Sequence, residues 1–352
     1  MHDQYDCIIV GHGISGAVLA QTLLSVGKRI LVFDSHYPFS ASRAAAGMWN
    51  PISFKNLKLI WRANEFLSTA YQFYTDIEIT SGEHFFHPME LTRIFNSVAD
   101  SNEWDTRSTS DALKDHITSE QDTSVEKHFF QPYGYGLVRQ CGWLDVPLFV
   151  EVSKQRLGDR FISDSFDYSA LLIQENGISY SGFQAKKIVF CEGSEVLKNP
   201  WFNWLPVEPN KGQVLTLHNK NLNAERIIHF GKFLLPLGEG QYRLGATYEF
   251  NDPYPEPTLA SENELLQTLA ELSNETFAVI ENKTGYRPTT NDRKPILGFH
   301  PTNKSIAIFN GMGSRGVMMA PLCARIFDEM ISEHIEPERE INISRYSHLF
   351  PG

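Results

Sequence analysis

Cysteine is scarce in this sequence, and no cysteine lies close to another. The chain of 352 residues has four, which are Cys7, Cys141, Cys191 and Cys323, and no two of them form a C-x-x-C pair. This spacing argues against a disulfide scaffold and against a zinc site, whose ligands are closely spaced. We therefore expect reduced, buried thiols, no metal and a cytoplasmic protein.

Positive charge is also scarce. Lys and Arg number 31 against 42 Asp and Glu, so the formal net charge is −11, and no dense Lys/Arg run is present. Proteins that bind nucleic acid usually present a basic surface, so we expect no nucleic-acid partner. No apolar run reaches the length of a membrane span, and an apolar strand begins almost at once, so we expect neither a membrane span nor a signal peptide. The oligomeric state stays open.

A glycine-rich turn near the start of the chain is the most informative motif. A short apolar run over residues 6–10 ends in Gly11-x-Gly13-x-x-Gly16, a helical pattern follows, and a second apolar run at 30–33 ends in Asp34. In such a unit the first glycine makes the tight turn, the second lets the backbone approach a pyrophosphate, and the third lets the helix pack on the strand. The free N–H groups of the helix N-terminus favour phosphate. The whole pattern predicts dinucleotide binding, with Asp34 on a ribose.

A second glycine-rich turn lies near the other end of the chain. It runs over residues 311–316, after an apolar strand at 305–310 and before a helix at 317–333. Two such turns on one ligand suit an FAD that is held at both its pyrophosphate and its isoalloxazine. A nicotinamide dehydrogenase would not need the second turn. FAD is therefore the predicted cofactor.

The remaining patterns predict a mixed chain. We expect an α/β fold (α+β overall), with a Rossmann-type FAD-binding domain and a smaller antiparallel-sheet substrate domain. The FAD-binding domain is predicted at 1–81, 142–209 and 286–352, and the substrate domain at 82–141 and 210–285. Helices are expected over 57–80, from Asp145 as N-cap, and over 261–274 with a Ser261–Glu264 capping box. Strands are expected at 85–95, 133–138, 187–193 and within 212–248, a hairpin at 171–180, and a polar surface excursion over 100–126.

The motifs, taken in order, resemble the FAD-dependent D-amino-acid oxidase superfamily, close in pattern to glycine oxidases and sarcosine-oxidase-like amine oxidases. The resemblance covers nearly the whole chain. Besides the two glycine turns and Asp34, it rests on the segments 42–48, 211–213, 244–247, 285–288, Asp292, 295–298 and Ala320-Pro321.

The resemblance implies cofactor contacts for these motifs. Asp34 would bind the ribose, Gly193 would lie near the adenosine, and 42–48 would line the flavin. The last glycine turn would face the O2/N1 edge of the isoalloxazine, where a helix N-terminus stabilises the charge of reduced flavin. The implied cofactor-binding residues are Gly11, Gly13, Ile14, Ser15, Gly16, Asp34, Ser42, Arg43, Ala45, Ala46, Gly47, Met48, Gly193, Gly313, Ser314, Arg315 and Gly316. Related sarcosine oxidases attach flavin to a cysteine near the Arg287 region; none lies there, so non-covalent FAD is expected.

The resemblance also implies catalytic residues. Arg287 would clamp a substrate carboxylate, because its planar fork pairs with both oxygens; a structural salt bridge is the alternative. Tyr248 would project a hydroxyl into the pocket, or else be a core aromatic. Arg315 would contact flavin or substrate. Trp49 is larger than the residue usual in glycine oxidases, which suggests an altered pocket.

The predicted activity is oxidation of a small amine. The substrate would be glycine, a D-amino acid or an N-methyl amino acid, with hydride transfer from Cα to flavin N5 giving an imine, and oxygen or another acceptor reoxidising the flavin. One alternative within the superfamily is an oxidoreductase acting on an aminomethyl group of tRNA wobble uridine; the acidic balance argues against it. The other is a flavin-binding protein without catalytic activity.

Overall fold

A mixed sheet with a parallel centre carries the first part of the fold. The computed structural model describes residues 4–119, 128–250 and 252–351. Within them, strand Tyr5–Val10 pairs in parallel with Ile30–Phe33 on one side and with Phe183–Phe190 on the other. The eight-stranded sheet is completed by Phe161–Ile162, Leu172–Gln174, Gly177–Tyr180, Ile296–His300 and Asn303–Asn310.

The strands of this sheet are apolar on both faces because both faces are covered. Ile9 packs with the helices on one side, and its neighbour Ile8 packs with the opposite layer. This alternation follows from the two-residue period of a strand. Helix Ile14–Ser25 is almost entirely buried, as expected of a central helix. The other helices on its side are Ala63–Ser81, Val146–Leu157 and Gly316–Ser332.

A second, largely antiparallel sheet has nine strands within the described residues. Its longest pair joins Val207–His218 to Ala278–Thr290, with Asn210 opposite Arg287. Helix Leu259–Leu272 covers it and buries Leu265 and Leu269, one turn apart, against its strands. Its other strands are Leu91–Ile94, Ile117–Thr118, Tyr135–Val138, Ile227–His229, Phe233–Gly238, Gln241–Gly245 and Glu249–Phe250.

Smaller elements connect the two sheets. Strands Met48–Trp49, Phe86–Pro88 and Gly142–Leu144 form a three-stranded sheet, and Ile52–Ser53 pairs with Lys58–Leu59. Short helices are Ala41–Ala44, Val98–Ser108, Gly158–Arg160, Tyr168–Ala170, Gly193–Lys198 and Ile343–Leu349. Among the described residues, no helix combines the length and the apolar character that a bilayer crossing needs.

Most predicted elements are confirmed. Asp145 caps its helix by accepting a hydrogen bond from the Leu148 N–H at 3.1 Å. The hairpin joins Leu172–Gln174 to Gly177–Tyr180, and Phe183–Phe190 is the buried parallel strand. The α/β fold with a Rossmann-type unit is the observed one. All four cysteines are free and buried.

Two predicted element boundaries were wrong, each for a local reason. The helix expected from residue 57 begins at Ala63, because Lys58–Leu59 forms a small hairpin instead. The single strand expected at 85–95 is two strands in different sheets, and they separate after Pro88, which has no N–H to continue a ladder.

The capping box at Ser261 and Glu264 was also wrong. Thr258 is the N-cap, since its hydroxyl accepts from the Ser261 N–H at 3.2 Å. Ser261 lies inside the helix and donates to Glu249. In the polar excursion, helix Val98–Ser108 buries Trp104, while residues 120–127 lie outside the described part of the chain.

Candidate cofactor and substrate site

The first glycine turn is packed so tightly that side chains would not fit. Gly11 has a φ of +93°, which favours glycine. A Cβ on Gly16 would lie 1.9 Å from the Gly11 carbonyl oxygen. Gly16 therefore allows helix Ile14–Ser25 to approach the end of strand Tyr5–Val10, as the motif predicts.

Within the part of the chain that the structure describes, most N–H groups at the N-terminus of this helix have no side-chain partner. The N-cap residue, Gly13, has no side chain that could accept from them. Only the Ile14 N–H donates to a described side chain, the Ser42 hydroxyl, at 2.8 Å. A Cβ on Gly13 would come within 2.9 Å of that hydroxyl oxygen. The remaining N–H groups of the first turn are available to an anion such as a pyrophosphate.

Asp34 is held in place by the backbone. Its Oδ1 accepts from the His12 N–H at 2.9 Å, and its Oδ2 accepts from the His36 N–H at 3.0 Å. These bonds fix the carboxylate at the end of strand Ile30–Phe33, beside the glycine turn. A carboxylate fixed there can accept further hydrogen bonds from ribose hydroxyls.

A cavity of about 690 Å³ opens at the carboxyl ends of the parallel strands. Its volume lies in the range of ordinary cofactor and ligand sites. The predicted cofactor residues in its wall are Gly11, Gly13, Ile14, Ser15, Asp34, Ser42, Arg43, Gly193 and Gly313. Among the described residues, Gly16, Ala45, Ala46, Gly47, Met48, Ser314, Arg315 and Gly316 are not in that wall.

The second glycine turn meets the first. Gly313 has a φ of +54°, and its N–H donates to the Pro288 carbonyl at 3.1 Å. A Cβ on Gly316 would lie 2.9 Å from Cγ2 of Ile14. The start of helix Gly316–Ser332 therefore packs against the start of the first helix, and no side chain caps it. Glycine turns from both ends of the sequence thus converge, as a ligand of FAD's length requires.

The segment 45–48 lies between the two sheets. A Cβ on Gly47, whose φ is +70°, would lie 1.9 Å from the Leu144 carbonyl oxygen. Arg243 donates to the Ala45 carbonyl at 3.1 Å, and burial lowers the pKa of Arg243. Trp49 packs in the core and stacks on Phe86 with 4.4 Å between ring centroids, so it is not part of the cavity wall.

Arg287 has neutral partners only. Its Nη1 donates to Asn210 Oδ1 at 2.7 Å and to the Thr247 carbonyl at 3.2 Å. Burial lowers the pKa of Arg287. Among the described residues no carboxylate lies within ion-pair distance of it, so a structural salt bridge is not its role there. Arg287 itself is not in the described cavity wall. Its neighbours Tyr286 and Pro288 line the cavity, and successive side chains of a strand point to opposite faces.

Tyr248 lies against Arg287, and Arg315 lies within electrostatic reach of Tyr248. The Tyr248 ring covers the Arg287 guanidinium and is 62% exposed, so Tyr248 is not a core aromatic. Burial lowers the pKa of Arg315; neighbouring Arg293 lowers it further, and Tyr248 opposes this. Arg315 also has no carboxylate within ion-pair distance among the described residues. The structure therefore groups all three predicted catalytic residues around one phenol ring.

Two titratable groups near the candidate cofactor cavity were not predicted. Glu192, in the cavity wall, accepts from the Tyr168 hydroxyl at 2.5 Å and from Asn199 at 2.8 Å, and burial raises its pKa to about 7. His12, in the first glycine turn, is buried, and its Nε2 forms a hydrogen bond of 3.0 Å with the Ser153 hydroxyl. Burial lowers its pKa to about 4. Only the place of Glu192 before Gly193, at the end of an apolar strand, was a signal in the sequence.

The geometry fits FAD on independent grounds. The N-terminus of helix Ile14–Ser25, a backbone-held carboxylate and glycines from both glycine turns line one cavity of suitable size. No group of three or more His, Cys, Asp or Glu among the described residues is arranged to hold a metal ion.

Comparisons with known proteins agree with this geometry. Residues 6–330 match the family model of the FAD dependent oxidoreductases, DAO. The glycine oxidase of Bacillus licheniformis is 23% identical, over 94% of this chain and 94% of that protein. The bifunctional protein MnmC of Leptospira interrogans, named for tRNA 5-methylaminomethyl-2-thiouridine biosynthesis, is 24% identical over 98% of this chain; the match spans 59% of that longer protein.

Solved structures show the same fold. An L-proline dehydrogenase from P. horikoshii superposes with a TM-score of 0.82 at 15% identity, over 99% of each chain. A glycine oxidase from Geobacillus kaustophilus gives a TM-score of 0.80 at 17% identity, over 100% of each chain. Since the family model spans most of the sequence, this chain belongs to the DAO family of FAD-dependent oxidoreductases and is an enzyme of that family.

Proposed function

We propose that this enzyme oxidises a small amine that carries a carboxylate: glycine, a D-amino acid or an N-methyl amino acid. Arg287 supports this proposal most directly. Its guanidinium is partly buried and meets only neutral acceptors, so its positive charge remains available to a substrate anion.

Each part of the site then has a task. Arg287 binds the carboxylate side-on and so orients the Cα–H bond, while Tyr248 and Arg315 close the same region. The FAD, when bound, supplies the hydride acceptor, and the substrate leaves as an imine that water hydrolyses. The contribution of the protein is positioning and electrostatics. Oxygen or another acceptor takes the electrons in turn.

The cofactor residues named from the sequence form part of the proposal. Asp34 holds the ribose, the first glycine turn the pyrophosphate, and the second glycine turn the isoalloxazine edge. FAD is held without a covalent bond, since no cysteine lies in the Arg287 region. The division into an FAD-binding domain (1–81, 142–209, 286–352) and a substrate domain (82–141, 210–285) is supported by the two separate sheets. A cytoplasmic location remains a prediction.

Anaerobic flavin bleaching tests the substrate class. Purified holoprotein is mixed with glycine, sarcosine, D-amino acids or L-proline, and the flavin absorbance is followed. We expect at least one of them to bleach the flavin, while the carboxylate-free counterparts methylamine and dimethylamine do not. Equal bleaching by both sets, or by neither, would reject the proposal. Denaturation should release the flavin into the supernatant.

A second candidate substrate comes from the relatives. The likeness to a protein named for tRNA 5-methylaminomethyl-2-thiouridine biosynthesis favours an aminomethyl group on tRNA. The net charge of −11 opposes it. Salt-sensitive retention of tRNA by the purified protein, together with bleaching by modified tRNA, would favour this candidate over the amino acids.

A further inference from the structure

Asn210 lies directly opposite Arg287 on the neighbouring strand. It is only 1% exposed, and its Oδ1 accepts the 2.7 Å hydrogen bond from Arg287 Nη1. Its other polar atom, Nδ2, is buried without a hydrogen-bond partner. An unpaired buried N–H group costs stability, so its presence calls for an explanation beyond folding.

The surroundings of Arg287 leave one edge of its fork free. Nη1 has two hydrogens, and it donates both, to Asn210 Oδ1 and to the Thr247 carbonyl. Nη2 lies so close above Gly212 that a Cβ there would be 2.0 Å away. Among the described residues, Nε and Nη2 have no hydrogen-bond partner. That edge is the one with two parallel N–H groups for a carboxylate.

An amide and a carboxylate at position 210 would have opposite consequences. An Asn and an Asp have nearly the same shape, but an Asp would form an ion pair with Nη1 and compensate the charge of Arg287. The amide orients the guanidinium and leaves its charge uncompensated. The amide does so although its buried Nδ2 has no hydrogen-bond partner among the described residues.

We infer that Asn210 is a positioning residue for substrate selection: it turns the Nε–Nη2 edge of Arg287 toward the substrate and keeps the site selective for a single carboxylate. This inference rests on the proposed carboxylate-binding role of Arg287. Asn210 itself does not touch the substrate.

Asn210→Asp tests it with a ligand pair that differs only in charge. Acetate and acetamide are titrated into the FAD-loaded protein, and the flavin absorbance change gives the two dissociation constants. We expect Asn210→Asp to weaken acetate binding by about tenfold or more and to leave acetamide nearly unchanged, because only the anion needs the uncompensated charge. Asn303→Asp is the matched control. It makes the same change of amide to carboxylate, but at the start of strand Asn303–Asn310 in the other sheet.

The outcomes separate this inference from the proposed function. A ratio of acetate to acetamide affinity that is the same in Asn210→Asp and wild type overturns the role of Asn210. If Arg287→Ala also leaves the ratio unchanged, the carboxylate-binding role of Arg287 falls too. Asn210→Ala covers the case in which the Asp variant fails to fold: it should lower the ratio several-fold, and an unchanged ratio again overturns the inference. A purely structural role would change the melting temperature and leave the ratio alone.

Discussion

The ring of Tyr248 covers the guanidinium of Arg287, with 4.5 Å between Cζ and the ring centroid. The opposite side of the same guanidinium lies against Gly212, where no side chain would fit. Arg287 is thus enclosed between an aromatic face and a bare stretch of backbone. A cation enclosed in this way keeps a fixed orientation and loses competing water, which favours a directed bond to an anion.

The ring of Tyr248, rather than its hydroxyl, should hold Arg287. Tyr248→Phe keeps the aromatic face, so we expect KM for the carboxylate substrate to stay close to wild type. Tyr248→Ala removes a cation–π contact and should raise KM roughly 3- to 30-fold. Steady-state kinetics on both variants checks this. A large loss in the Phe variant would instead assign the work to the hydroxyl.

Gly16 should be essential for FAD retention. A Cβ in Gly16→Ala would lie 1.9 Å from a backbone oxygen of the turn, so helix and strand must separate. We expect the purified variant to lose FAD or to bind it at least about tenfold more weakly. Gly27→Ala is the control, since nothing lies within 4 Å of its Cβ although its φ is +78°. It should lose about 1–2 kcal/mol of stability and keep FAD.

Asp34→Asn should weaken FAD binding by about tenfold. Asp34 accepts two backbone N–H groups, and an Asn offers only one oxygen, so its amide group would face a donor. Asp6→Asn is matched to it, because Asp6 also accepts a backbone N–H, from Arg29 at 2.9 Å, but is not in the described cavity wall. Fluorimetric titration of apoprotein with FAD measures both. Equal losses in the two variants would contradict a ribose-side role.

Glu192 should make the apoprotein less stable as the pH rises. Burial raises its pKa from 4.5 to about 7, so the folded state holds a proton that the unfolded state has already lost. Its contribution is complete below pH 4.5 and is lost as the pH rises to about 7. A tenfold change in the proton affinity of a group corresponds to about 1.4 kcal/mol, so the full effect is about 3 kcal/mol.

The comparison of wild type with Glu192→Gln isolates that effect. Gln is neutral at every pH, so we expect the free energy of unfolding of wild type, relative to the variant, to fall between pH 4.5 and 7. His12, with its pKa lowered to about 4, acts in the opposite direction, and destabilises the fold as the pH drops below 6.5. It is present in both proteins and cancels in the difference. A pH-independent difference would contradict the titration of Glu192.

The backbone geometry around the candidate cofactor cavity could be predicted from the sequence because its signals are local. Gly11, Gly16 and Asp34 lie within one strand–helix–strand unit, and each is required there by backbone geometry. The same holds for Asp145, whose capping bond reaches only three residues ahead. Short-range chemistry of this kind is visible as a pattern of neighbouring residue types.

The surroundings of Arg287, the candidate substrate site, depend on contacts between residues that are far apart in the sequence. No local sequence pattern predicts such contacts. Arg287 was identified by resemblance, but Asn210 lies 77 positions away and pairs with it only through strand register. In the sequence, Glu192 is only a carboxylate at the end of an apolar run. Its hydrogen bonds with Tyr168 and Asn199 exist only in the folded chain. Thr258 was overlooked as a cap because Ser261 has the same chemistry three residues later.

The contact between Ile14 and Gly316 has a consequence for synthesis. Roughly 300 residues separate the two positions in the sequence, which corresponds to about 15–60 s of translation. During that time the growing chain carries the first glycine turn with an apolar helix that lacks its partner. A cofactor that contacts both glycine turns could be held in full only after helix Gly316–Ser332 has left the ribosome, and chaperones have that interval in which to bind the unfinished chain.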